Sequence, residues 1–95
     1  MIQSFANKAT EAIFHGRHHR SFPTQHLDAA RRKLDLLNAA ASEADLRVPP
    51  GNHFEHLIGD KKGYCSIRIN RQWRVEFRFA GGNAYDVRIS NHYKD

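Results

Sequence analysis

Ninety-five residues carry 15 Lys and Arg against 10 Asp and Glu, a formal charge of +5 with His neutral, and the pI near 9.8 favours nucleic acid or an acidic protein as partner. A chain this short is read as one domain, residues 1–95, with a single modest core that buries about 60 to 65% of the unfolded surface. Cys65 is the single cysteine, which excludes an intrachain disulfide and a thiolate metal cage and fits a reducing compartment; with no signal-peptide core and no long apolar run, a soluble cytoplasmic protein without a membrane partner is expected.

In chain order, Ile2 to Phe5 suit a short strand, and Asn7 then stands as a helix N-cap with Glu11 in the early turns and Gly16 near the stop. Phe5, Ala9, Ala12 and Ile13 lie near one face of that helix. The polar, basic run "HGRHHRSF" follows. Pro23 fits a first helical turn, and Leu27, Ala30, Leu34, Leu37 and Ala41 recur at a 3,4,3,4 spacing that predicts a second helix over 24–41. "SEADL" allows one further turn. "RVPPGN" ends it, because tandem prolines and a glycine break regular structure, and residues 47–53 read as loose.

Beyond this point the chain alternates. Odd positions are apolar in 64–70 (Cys65, Ile67, Ile69), in 73–79 (Trp73, Val75, Phe77, Phe79) and in 84–90 (Tyr85, Val87, Ile89). Odd residues are therefore expected to face the helices, and even ones, including Arg68, Arg74, Glu76, Arg78, Asp86 and Arg88, to form a polar face. Two helices followed by strands predict an α+β fold: two N-terminal helices packed on one face of a small, mostly antiparallel sheet.

Directly opposed residues share a face, so odd must oppose odd. A three-residue loop, Asn70 to Gln72, meets this rule by setting Ile69 opposite Trp73. At "AGGNA" the rule sets Ala80 opposite Ala84, with Gly81, Gly82 and Asn83 supplying positive φ. Arg78 then faces Asp86 and Glu76 faces Arg88, pairs worth roughly 0.2 to 1 kcal/mol each. Arg68 faces Arg74 instead, a like-charge pair. Arg68, Gln72, Arg74 and His92 are thereby brought to one end of the polar face, with two cations that no carboxylate opposes.

The run "PPGNHFEHLIGDKKGYCSIRINRQWRVEFRF", followed by "AYDVRISNHY", resembles the HigB branch of the RelE/ParE superfamily of bacterial toxins; "GYCSIRINRQWRVEFRF" is its most specific part. The resemblance implies a ribosome-dependent mRNA endonuclease, neutralised by a helix-turn-helix (HigA-like) antitoxin with which it contacts operator DNA. The implied reaction uses no metal and no cofactor: a 2′-hydroxyl attacks the adjacent phosphate, leaving a 2′,3′-cyclic phosphate and a 5′-hydroxyl. Such chemistry asks for a cation on the phosphorane and an acid or base. Arg74 matches the arginine of the family's "QWR" motif and is the expected phosphate clamp, assisted by Arg68. Gln72 matches a polar residue that holds substrate.

Two positions depart from the family pattern. Ile58 stands where a lysine is common, and the usual Asp-Tyr-His ending becomes Asn91, His92 and Tyr93. His92 is a candidate general acid or base, since imidazole titrates near neutrality, and Tyr93 is the alternative if the tail shifts by one residue. His53 and His56, in the loop before Ile58, are candidates to replace the lysine. Lys61 and Lys62 are candidates to hold the RNA backbone. His15, His18 and His19 lack a Cys or carboxylate at ligand spacing, so a metal site is not expected there. Arg31, Arg32 and Lys33 read as a solvated helix face or as an rRNA contact, Trp73 as core, and Cys65 as core with no His placed to activate it. Alternative functions are gyrase poisoning by the same fold, or a weakened toxin that chiefly binds its antitoxin.

Overall fold

Asn7 opens the first helix, α1 (Lys8–Phe14): its backbone is extended and its side-chain carbonyl accepts from the Thr10 N–H at 2.9 Å, satisfying one of the donors that a helix start leaves free. Gly16, at φ +85°, turns the chain out of the helix. The computed structural model describes residues 1–91. After a 3-10 turn at Thr24–His26 comes α2 (Leu27–Ala39), which buries Leu27, Ala30, Leu34 and Leu37. The fifth member of the expected stripe, Ala41, is exposed. Ala40 is already extended at ψ 132°, and it takes the buried place in its stead.

A one-turn helix, α3 (Glu43–Leu46), seats Leu46 in the core. The segment expected to be loose is pinned after it. Asn52 is fully buried; its amide donates to Leu46 O and Val48 O, both at 3.1 Å, and its carbonyl accepts from Lys33 Nζ on α2. Lys33 thus leaves the solvated face assigned to it. Arg31 does too, donating to Ile13 O and Arg17 O at the end of α1, whereas Arg32 is exposed.

Four strands form one antiparallel sheet in sequence order: β1 (Glu55–His56), β2 (Cys65–Arg68), β3 (Trp73–Ala80) and β4 (Asn83–Asn91). Ile2 and Phe5 add parallel bridges to Ala84 and Val87 along β4. The α+β arrangement read from the sequence is the one observed. Ile67, Val75 and Phe77 are fully buried with Ile13, Leu34 and Leu37, so β2 and β3 present their odd residues to the helices.

The β2–β3 register is the expected one, with Ile67 opposite Val75 and Arg68 opposite Arg74. Asn70 makes the turn: its Oδ1 accepts from the backbone N–H groups of Gln72 and Trp73, both at 2.9 Å. The β3–β4 hairpin is tighter than expected. Gly81 and Gly82, at φ +59° and +78°, form a two-residue turn with Ala80 opposite Asn83 and Arg78 opposite Tyr85. Consecutive positive φ values match the twist of the strands. The surplus residue is absorbed as a bulge at Asp86, φ +54°, so Ala84 and Val87 both point inward. Tyr85 consequently falls on the polar face with Arg78, not in the core. Beyond the bulge Glu76 faces Arg88 and Arg74 faces Ser90, as the parity argument required.

Candidate active site

Arg74 projects from the start of β3 onto the polar face, and three neighbours surround its guanidinium. Nη1 donates to Glu55 Oε1 at 2.9 Å and to Ser66 Oγ at 3.2 Å, while Nε lies 3.9 Å from Glu76 Oε2. That last separation is an ion-pair distance, and the buried Nε–H has no hydrogen-bond partner among the described residues. The expectation of an unopposed cation is corrected here for Arg74: edge strand β1 brings Glu55 opposite Ser66, one step across the sheet from the arginine. Arg68 does fit it. Its Nε donates to Asn70 O at 3.0 Å, and it pairs with no carboxylate among the described residues.

Glu76 is the electrostatic centre of the polar face. Only 1% of its side chain is exposed, and its two oxygens receive Lys61 at 3.0 Å and Arg88 at 3.1 Å in addition to the more distant Arg74. A buried carboxylate is tolerated because cations and hydrogen bonds replace its water. The expected Arg78–Asp86 pair persists at 3.4 Å despite the altered register, but both partners are largely exposed, which limits its contribution to about 1 kcal/mol or less.

Two hollows meet at Arg74. The first, about 340 Å³, is lined by Arg68, Arg71 and Arg74 with His53, Glu55, Ser66, Asn70 and Trp73. The second, about 290 Å³, holds Ile58, Lys61 and Glu76 against the other side of the arginine. Three guanidinium groups and one carboxylate leave the first hollow net positive, a setting for an anion such as a phosphodiester. Trp73 serves two surfaces: it meets Phe22 edge-on at 4.8 Å between centroids, as a core residue does, and it forms part of the hollow's wall.

The candidate residues divide accordingly. Arg74, Arg68 and His53 share the first hollow, His53 through a left-handed backbone at φ +47°. Lys61 stands in the second, where its ammonium is tied to Glu76. Gln72 is half-buried in the β2–β3 turn and lines neither hollow; Lys62 is exposed outside both. His92 and Tyr93 lie outside the described residues.

His56 is not in a loop and does not face the hollow. It sits on β1 opposite Cys65, on the helix side of the sheet, with Nε2 3.0 Å from Glu43 Oε1 and Nδ1 3.4 Å from Cys65 Sγ. A histidine does therefore stand beside the cysteine, contrary to the sequence reading. Burial, and secondarily the Glu43 carboxylate, push the Cys65 thiol above its ordinary value. That favours the inert thiol over the thiolate. The three upstream histidines have separate attachments: His15 packs on Phe5 and Phe14, His18 bonds Thr24 and His19 bonds Ser21.

Sequence reasoning missed Glu55, Ser66 and Arg71. Two residues of strand are too few to show a period, so nothing local marks Glu55 as paired with β2.

A four-stranded antiparallel sheet with helices on one side is the fold of RelE-like toxins. The chain superposes on YafQ from E. coli with a TM-score of 0.57 and on a YafQ mutant with 0.63, each at 14% identity and covering 99% of this chain and 94% of that one. Residues 3–95 match the family of RelE-like toxins of the type II toxin–antitoxin system HigB. Over 93 residues the chain is 43% identical to Toxin HigB-1 of Vibrio cholerae, covering 97% of this chain and 98% of that one. It is 28% identical to Endoribonuclease HigB of Proteus vulgaris, covering 98% and 100%. The chain belongs to the HigB-like toxin family, and a toxin of a type II system has an antitoxin as partner.

Proposed function

We propose that this toxin is an endoribonuclease that cuts mRNA on the ribosome, by attack of a 2′-hydroxyl on the neighbouring phosphate. The observation that carries the reading is the pairing of Arg68 and Arg74 across β2 and β3 over one hollow. A transesterification at phosphorus concentrates negative charge on the non-bridging oxygens, and donors already aimed at them stabilise that charge without reorganisation. Arg74 is the better placed clamp, because Ser66 and Glu76 hold it from behind. Arg68 adds a second cation, Arg71 and Trp73 offer flat surfaces for a neighbouring base, and Lys61 lies along the path of the backbone on the far side of Arg74. Gln72 and Lys62 are candidates for outlying substrate contacts, His92 and Tyr93 for proton transfer. The related endoribonuclease of Proteus vulgaris supports the reaction class. The partner implied is a helix-turn-helix antitoxin that also brings the toxin to operator DNA.

A second reading has one observation in its favour. Ile58, at the place of the family lysine, is 86% exposed beside Lys61 and Arg74, and an apolar side chain there contributes neither charge nor proton. On that reading the toxin is weak and chiefly engages its antitoxin.

The deciding experiment expresses the chain without antitoxin and maps new 5′-hydroxyl ends on ribosome-bound mRNA, wild type against Arg74→Ala. Ends within codons that vanish in the variant support the nuclease. Growth arrest without such ends refutes it and directs attention to DNA supercoiling; neither arrest nor ends favours the second reading.

A further inference from the structure

Among the groups that line the first hollow, the arginines stay protonated throughout the physiological range, and serine, asparagine and tryptophan do not act as bases near neutrality. Among the described residues that line it, Glu55 and His53 alone can accept a proton there. Glu55 is the one in direct contact with the clamp. Its side chain is 58% exposed against 15% for Arg74, so the carboxylate is the more solvent-accessible partner of the pair. Ser66 Oγ accepts from the same Nη1 as Glu55, and Glu76 Oε2 lies 3.9 Å from Nε. Those two contacts to Arg74 remain when Glu55 lets go.

We infer that Glu55 is the catalytic base of the cleavage, masked by Arg74 in the free protein and released when the scissile phosphate takes over the guanidinium. This rests on the ribonuclease reading above. Before substrate binds, the ion pair occupies the carboxylate. When the phosphate replaces it, the Glu55 carboxylate is freed of its ion pair and open to a new hydrogen-bond donor. It then lies one displaced hydrogen bond from the phosphate, within reach of the adjoining 2′-hydroxyl, with His53 beside it and Arg68 and Arg71 across the hollow. The O2′–H bond breaks and its proton passes to Glu55. O2′ bonds to phosphorus, the P–O5′ bond breaks, and the departing oxygen takes a proton from water. Glu55 returns its own proton to solvent, so the step is balanced and no redox partner is needed.

The test is single-turnover cleavage of a defined mRNA on programmed ribosomes, with the 2′,3′-cyclic phosphate quantified for wild type, Glu55→Gln and Glu55→Ala over pH 5 to 8. Glutamine keeps an oxygen for Arg74 but takes no proton. The expected result is a loss of about 100-fold or more in both variants, flattening of the rising limb of the pH–rate profile, and an unchanged melting temperature, as the exposed position permits. Glutamine cutting within threefold of wild type overturns the assignment. If alanine alone fails, Glu55 is a positioning residue and the assignment also falls. Should wild type produce no cyclic phosphate, the ribonuclease reading itself is refuted and Glu55's role with it, an outcome distinguishable from the other two.

Discussion

Arg68 and Arg74 stand directly opposite each other across β2 and β3, a like-charge pair of which Arg74 alone is paired with a carboxylate among the described residues. Like charges in direct opposition cost folding free energy, on the order of a few tenths of a kcal/mol. Arg74→Ala is expected to lower the cleavage rate by about 10² to 10³, the usual consequence of deleting one oxyanion donor. Arg68→Gln should lower it less and leave stability equal or slightly higher in urea titrations. A clear loss of stability in Arg68→Gln would falsify the account of the pair as functional tension.

Glu76 is expected to be the most sensitive polar position in the sheet. Glu76→Ala leaves Lys61, Arg88 and Arg74 facing one another around a buried void, and the loss should reach about 3 to 5 kcal/mol. Asp86→Ala, which removes an exposed partner of Arg78, should cost about 1 kcal/mol or less in the same chemical denaturation series. Similar losses in the two variants would remove the case for Glu76 as the centre.

The Cys65 thiol gives stability a specific alkaline dependence. Its value in the folded protein is raised, first by burial and then by Glu43, so the folded state holds the proton more tightly than the unfolded chain does. The contribution is complete below the thiol's unfolded value, about 8.5, and is lost as pH rises through the folded one. Midpoints measured from pH 7 to 10 should fall for wild type and fall less for Cys65→Ala. Thiol labelling of the native protein at pH 8 should be slow until denaturant is added.

Ile58→Lys should strengthen the toxin. The position is open to solvent and borders the same hollow as Lys61 and Arg74, so a lysine there costs little stability and adds a cation beside the clamp. Cleavage is expected to rise on the order of tenfold, within what one added acid or base contributes. An unchanged rate would show that this side of Arg74 takes no part in the reaction.

How much of this was legible beforehand depended on length and parity. The seven residues around Ile67 and the eight of β3 carried enough alternation to fix which face each side chain occupies and the register at Arg68–Arg74. The same argument went astray at Asn83, because parity counted it into the loop with Gly81 and Gly82, whereas the left-handed backbone of the two glycines alone closes the turn in two steps. Asp86 then had to absorb the difference. Glu55 was invisible because its strand has two residues and its meaning depends on Ser66 and Arg74, 11 and 19 positions away. Asn52 was misread for a related reason: a turn rich in proline and glycine looks loose until a lysine from a distant helix is seen to hold it.

The bridges from Ile2 to Ala84 and from Phe5 to Val87 join segments 82 residues apart. Contacts this remote in sequence are slow to form, since the chain between them must first be closed into a loop. During synthesis they cannot form at all until β4 has emerged from the ribosome. The outer margin of the sheet is therefore completed late, after the strands that hold Arg74.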